Sequence, residues 1–298
     1  MQMHQLEYFL AVVDARHFTR AAEAVGIAQP SLSQQIKALE RDVGAPLFHR
    51  VRGNLTLTEA GQILLPIARR IVADAETARY EIRELSGLHR GRVRLGATPS
   101  LCTGLLPPML ASFRKAYPGI QLLISESGSR DLARSLVEGA LDLALIIDSR
   151  AAADPQLDTR RLLDEELVLI EPGPPAVAAP IPVTALEGLP LVMFREGYDL
   201  RDATLAACRA AGFEPTYAVE GGEMDAVLEF VRAGLGHAIV PSTVVRDRFR
   251  VTPFAQPGLR RTVLLARRRE PRPPRAAQAL AEAIINSLGR LPAGTRAL

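Results

Sequence analysis

Residues 58–87 carry apolar side chains at Ile63, Leu64, Ile67, Ile71, Ala75, Ala78, Ile82 and Leu85, in steps of one to four, the repeat of a single helical face. Thr58 followed by Glu59 supplies a helix start, and Gly87 a stop. The spacing predicts one helix of about 28 residues, ~42 Å long at 1.5 Å per residue. An apolar stripe sustained over that length has to be covered, and a second copy of the same helix is the simplest cover. The helix splits the chain into a short leading module and a long trailing part, each needing its own core. A length of 298 residues accommodates this, at roughly 100–200 residues per domain.

In the leading module, Leu6, Phe9, Leu10 and Val13 follow helical spacing, and residues 18–25 form a second short amphipathic piece that Gly26 ends. Gln29-Pro30-Ser31 then opens a third helix, with Leu32, Ile36 and Leu39 on its apolar face. This reads as helix, turn, helix. Residues 46–50 and 55–58 are strand-like and flank Arg52-Gly53-Asn54, a tight-turn sequence, so a small hairpin follows. Beyond Gly91 the pattern changes. Short apolar strands are expected at 93–97, 121–125, 141–147, 167–170, 191–194, 238–240 and 262–266, with helices at 105–117, 131–138, 200–211, 224–233 and 276–288. Such alternation specifies open α/β architecture in two similar lobes. The Pro-rich stretch 172–182 is a loop of the second lobe, because alternation resumes on both sides of it.

Composition removes several classes of protein. With 48% hydrophobic and 23% charged residues the chain can bury cores and is not disordered. Its first residues hold Glu7 and lack a secretory signal's basic start, and the uncharged run 95–113 is broken by Pro99, Pro107 and Pro108, so neither export nor a membrane span is expected. Two cysteines, Cys102 and Cys208, make no disulfide framework and have no metal-ligand spacing. A reducing cytoplasm, with no metal and no cofactor, is the expectation. The net charge is +3, and the excess sits in residues 1–95, with 13 basic against 10 acidic, while 96–298 hold 23 of each. Residues 1–60 balance at six against six, so any contact with nucleic acid has to rest on placed charges rather than bulk basicity.

The run Leu6-Glu7-Tyr8-Phe9, Phe18-Thr19-Arg20-Ala21-Ala22, Gln29-Pro30-Ser31-Leu32-Ser33-Gln34-Gln35-Ile36, Pro46-Leu47-Phe48 and Leu57-Thr58-Glu59-Ala60-Gly61 closely resembles the winged helix-turn-helix of LysR-type transcriptional regulators. The resemblance continues through Leu105-Leu106-Pro107, Glu138-Gly139-Ala140-Leu141-Asp142 and Ala233-Gly234-Leu235-Gly236. It implies an α/β protein overall, in three parts. These are a winged helix-turn-helix at 1–58, a linker and dimerisation helix at 59–90, and an effector domain at 91–298 resembling periplasmic solute-binding proteins. Lobe I of that domain would be about 91–161 plus 267–298, and lobe II about 162–266. The implied partners are double-stranded operator DNA, a small-molecule effector and the chain itself, as a dimer through the linker helix and a tetramer beyond it, with RNA polymerase added if the protein activates. The family is bacterial and cytoplasmic.

Short polar side chains at the start of a recognition helix suit the major groove, and Gln29, Pro30, Ser31, Ser33 and Gln34 are placed there, with Lys37, Arg50 and Arg52 as positioning charges, the last two on the wing. Relatives often place Ser or Thr before the Gln-Pro pair; Ala28 stands there instead, which forgoes a cap worth about 1 kcal/mol. For the effector, Thr98, Ser100 and Ser129 leave strand ends where hydroxyls and helix N-termini suit a small anion or carboxylate. Phe194 lies on a third such segment. His237 enters an apolar strand, where it is either a structural residue or a cleft residue that helps select the effector. Peroxide-sensing relatives carry a reactive cysteine in the segment resembling Gly197-Tyr198-Asp199-Leu200; here the position holds Asp199, and Cys208 stands near the second cysteine position. A thiol switch lacks its nucleophile. Competing readings are a ligand-independent or redox-responsive regulator and a plain solute-binding protein. An enzyme is not expected, because no catalytic constellation is present.

Overall fold

The computed structural model of the chain describes residues 1–51, 54–83, 91–245, 249–290 and 294–297. The chain divides into two compact units, Met1–Leu85 with the short piece Glu138–Ala140, and Ser86–Val137 with Leu141–Leu298.

The first unit opens with α1 (Met3–Ala15), α2 (Phe18–Val25) and α3 (Gln29–Val43). Gly26 ends α2 at φ 71° and returns its N–H to the carbonyls of Ala22 and Glu23; Gly44 ends α3 at φ 77°. Only glycine adopts this left-handed geometry cheaply. Ala28 is the N-cap of α3 and makes no capping bond through its side chain, as its methyl group requires. Leu6, Phe9, Leu32, Ile36 and Leu39 are fully buried between the three helices, each worth about 1.5–3 kcal/mol of transfer free energy. Phe48 seals the base, its ring 5.4 Å from that of Phe9 and 5.9 Å from that of Phe18.

The hairpin pairs β1 (Phe48–Val51) with β2 (Asn54–Leu57), Phe48 opposite Leu57. Its first strand starts at Phe48, two residues later than expected, because Pro46 has no N–H and the N–H of Leu47 is taken by the Glu40 side chain at 2.9 Å. The expected tight turn at Arg52-Gly53 lies outside the described residues. Helix α4 (Glu59–Arg83) holds 25 residues, with Pro66 inside it; its expected last turn at 84–86 also lies outside. Thr58 caps it by accepting from the N–H of Gly61 at 3.0 Å, and donates to the Pro46 carbonyl at 2.6 Å. A Cβ on Gly61 would overlap the Leu47 carbonyl oxygen, so the helix start is pressed against the strand's approach.

The second unit contains β3 (Gly91–Ala97), α5 (Pro99–Gly104), α6 (Leu106–Ala116), β4 (Ile120–Glu126), α7 (Ser129–Val137), β5 (Leu143–Ile147), β6 (Leu157–Glu171), β7 (Ala176–Val177), β8 (Pro190–Met193), α8 (Asp199–Ala210), β9 (Thr216–Glu220), α9 (Met224–Arg232), β10 (Ala238–Pro241), β11 (Arg250–Pro253), β12 (Leu259–Arg268), α10 (Arg275–Ser287) and β13 (Thr295–Ala297). Strands order as β4-β3-β5-β12-β6-β11-β7, with β10 and β13 also on β6, and β8-β9 form a separate parallel pair. Among the described residues the sheet serves three hydrophobic clusters, one of them packing Leu132 and Leu136 of α7 on Ile146 and Leu264; the other two define the lobes. One gathers Leu95, Phe113 and Leu143 with Leu280 of α10; the other gathers Ile170, Phe194, Leu200 and Val227. Strands β6 and β12 run through both, Val263–Ala266 pairing with β5 of the first lobe and Val168–Ile170 pairing with β10 and β11 of the second. Both are longer than their apolar runs at 167–170 and 262–266, since charged residues such as Asp158, Arg160, Arg260 and Arg261 interrupt the pattern. The short elements α5, β7, β9, β11 and β13 carry no periodicity strong enough to be seen.

Candidate functional site

Helix α3 buries Leu32, Ile36 and Leu39 and leaves Gln29, Pro30, Ser31, Gln34 and Lys37 exposed, with Ser33 half-buried. Pro30, Gln34, Lys37 and Arg41 follow one another at steps of four, three and four and are all exposed, so they share a face. Arg41 extends the expected set; the signal for it was its place on the Lys37 stripe. On the inner side Gln35 accepts from Gln5 at 3.2 Å and lies 3.2 Å from the His4 ring, which holds α3 in register on α1. Arg50 is placed within β1; Arg52 falls outside the described residues. This is an exposed polar ridge with cationic residues toward its C-terminal half, of about the size that the major groove accepts.

Where the two lobes meet, two polar links are buried. Arg261 of β12 and Glu165 of β6 stand directly opposite in the antiparallel register, 2.6 Å apart and almost fully buried. Arg261 also donates to Ser100 Oγ at 2.8 Å, Thr98 Oγ1 is 3.4 Å from Ser100 Oγ, and Thr243 donates to Glu165. The second link is Ser129 at the start of α7. Its hydroxyl donates to Asp199 Oδ2 at 2.7 Å and accepts from the N–H of Ile147 at 3.0 Å. Thr98, Ser100 and Ser129 therefore all lie in this junction, buried. Sequence reasoning missed Arg261 and Glu165, whose pairing depends on the register of distant strands, and it read Asp199 only as a missing thiol.

Phe194 is wholly buried and stacks on Tyr198, rings 4.7 Å apart at 8°, so its ring packs the second lobe's core and supports the start of α8, where Asp199 stands. The Tyr198 hydroxyl and Arg261 Nη1 are buried without a hydrogen-bond partner among the described residues. His237 is not brought together with the hydroxyls. Its backbone bridges to β8, donating to Pro190 and accepting from Val192, and its ring turns to Glu171 at 3.6 Å. Burial first, then the nearby Glu126 carboxylate, pushes the Cys102 thiol up to about 12. Cys208 is buried in the second core, and burial raises its thiol as well. Neither has the stabilised thiolate that a peroxide-reactive cysteine needs. Among the described residues no cluster could hold a metal ion, and no helix is long and apolar enough to cross a membrane.

A winged helix-turn-helix followed by a two-lobed α/β domain defines a DNA-binding regulator with a sensor for small molecules. Residues 3–62 match the bacterial regulatory helix-turn-helix proteins of the lysR family, and residues 86–289 match the LysR substrate binding domain. The chain is 32% identical over 253 residues to the uncharacterized HTH-type transcriptional regulator YwqM of Bacillus subtilis, covering 83% of this chain and 84% of that one. It is 34% identical over 260 residues to a probable hydrogen peroxide-inducible genes activator of Mycobacterium avium, covering 85% and 83%. A solved structure of full-length OxyR from Pseudomonas aeruginosa, with an aspartate substituted for a cysteine, superposes at TM-score 0.74 and 28% identity, covering 95% of this chain and 94% of that chain. The chain belongs to the LysR family of DNA-binding transcriptional regulators.

Proposed function

We propose that the regulator reads its operator through Gln29, Pro30, Ser31, Ser33 and Gln34, with Lys37, Arg41, Arg50 and Arg52 as phosphate contacts, and is controlled by a small effector bearing a carboxylate or similar acceptor, held between lobes near Thr98 and Ser100. The boundaries that go with this reading are 1–58 for the winged domain, 59–90 for the linker helix and 91–298 for the effector domain, with lobe I at about 91–161 plus 267–298 and lobe II at about 162–266. The carrying observation is the Arg261–Ser100 bond at the lobe junction, which sets a guanidinium and a hydroxyl side by side, a donor pair suited to a carboxylate. Two chains pair along α4, pairs assemble into a tetramer, and the protein works in the cytoplasm without catalytic turnover, contacting RNA polymerase where it activates. The peroxide response named for relatives does not transfer, because Asp199 replaces the thiol and Cys102 is held protonated.

Operator titrations at several salt concentrations, with and without a panel of small carboxylates and amino acids, test this. Lys37→Ala weakens binding to all sequences and lowers the salt slope by about one per chain, whereas Gln34→Ala relaxes discrimination by ~1–3 kcal/mol. A panel compound that stabilises wild type against heat and shifts its operator affinity fails to do so in Ser100→Ala. Equal response in both proteins sinks the assigned pocket, and no preference for its own promoter over random DNA sinks the DNA reading.

A further inference from the structure

Between the two lobes, the position facing the start of α7 is a natural seat for a negative group, since N–H groups and the helix dipole converge there. In this chain that seat is taken. Asp199, the first residue of α8 in the second lobe, accepts from the Ser129 hydroxyl at 2.7 Å and from the Ser129 N–H at 3.4 Å in the first. The Ser129 oxygen is fixed in turn by the N–H of Ile147 at the end of β5. The loops on either side close tightly, for a Cβ built on Gly128 would lie 3.2 Å from the Gly197 carbonyl oxygen. A side chain at 128 would press the two loops apart by a few tenths of an ångström.

We propose that Asp199 is a built-in occupant of this anion seat, a tethered carboxylate that latches the two lobes together, so that an effector acts by displacing the latch and bringing its acceptor oxygens to Arg261 and Tyr198. This rests on the reading of the lobe junction as the effector site. Two observations make the latch a poised one. Burial raises the Asp199 carboxyl's affinity for its proton, and the Ser129 bonds and the Arg261 charge only partly offset this, with Asp202 adding repulsion. The carboxylate thus keeps part of its desolvation cost while it occupies the seat. Near it, the Tyr198 hydroxyl and Arg261 Nη1 have no hydrogen-bond partner among the described residues. Both are donors, and buried donors left unpaired disfavour the state that leaves them so. A carboxylate or carbonyl oxygen from outside satisfies them; an amine alone does not.

The test uses the full chain with formate as a free stand-in for the missing carboxylate. Asp199→Ala empties the seat, and formate, at ionic strength matched with chloride, raises its melting temperature saturably. Wild type, whose seat is already filled, and Asp199→Ala combined with Ser129→Ala, whose seat has lost its hydroxyl, both respond less. A folded Asp199→Ala protein indifferent to formate overturns the proposal, as does a wild-type response of equal size. Should the alanine protein not fold, Asp199→Asn keeps the volume and removes the charge. Its amides at the start of α7 then exchange on the order of tenfold faster than wild type, and unchanged exchange overturns the latch. The formate response survives in an Asp199→Ala, Ser100→Ala background, whereas recognition of the effector by wild type depends on Ser100. Failure of the latch and failure of the effector pocket are thus read separately.

Discussion

Arg261 and Glu165 are the residues on which the lobe junction depends most. Each is almost wholly buried, and the two are paired at 2.6 Å. Glu165→Ala strands the guanidinium among apolar strands, and a broken buried pair costs about 3–5 kcal/mol. Denaturation of the full chain is expected to show that loss, and the double replacement Glu165→Leu, Arg261→Met to recover much of it; a single variant as stable as wild type refutes the pair's structural role. Cys102 gives a pH-dependent test. With its thiol pushed up to about 12, the folded protein favours the protonated form, so ionisation at high pH opposes folding rather than supporting it. Alkylation of Cys102 by iodoacetamide is expected to climb between pH 10 and 12, and a plateau below pH 9 contradicts the burial assigned to it. Much of this was visible in advance by residue type alone. Thr98, Ser100 and Ser129 were placed by the rule that strand ends gather ligands, while Arg261 fell just outside the strand expected at 262–266 and carried no signal. Its meaning comes from Glu165, 96 residues away, and no local pattern carries a register.

Helix α4 shows the same division between pattern and placement. The apolar repeat announces a long helix, yet the repeat belongs to two faces. Leu64, Ala68 and Ile71 pack into the winged core, whereas Ile63, Ile67 and Ile82 are exposed at 62%, 38% and 69%. Periodicity reports that apolar residues recur and not which neighbours receive them. The exposed face is the surface we assign to the second chain. Ile63→Glu together with Ile67→Glu should give a monomer by light scattering on size exclusion, with little loss of melting temperature because neither side chain supports its own chain's core. A dimer that persists unchanged places the pairing surface elsewhere. The hairpin beside α4 was also legible from its turn sequence, but the close seating of Gly61 on Leu47 was not, since a glycine early in a helix reads as a weak point until the carbonyl it makes room for is known.

At the scale of the whole effector domain, the paired strands β6 and β12 are shared by the two lobes, so a change in lobe closure bears on the ladder where Arg261 and Glu165 sit. Effectors in such systems work with coupling energies of about 1–3 kcal/mol, which is the scale of one buried hydrogen bond to a charged group. The latch at Asp199 is of matching size and need not be stronger. The seam between Gly61 and the Leu47 carbonyl has a consequence for the DNA as well. Because the helix start, the wing and the Glu40 anchor of α3 are joined without slack, each recognition helix inherits its bearing from the axis of α4. In the dimer we propose, the distance between half-sites is then a fixed length carried by the protein. Inserting about half a turn of duplex, some 5 base pairs of the roughly 10 per turn, puts one half-site on the far side of the double helix, out of helical phase with a reader that cannot swivel to follow it.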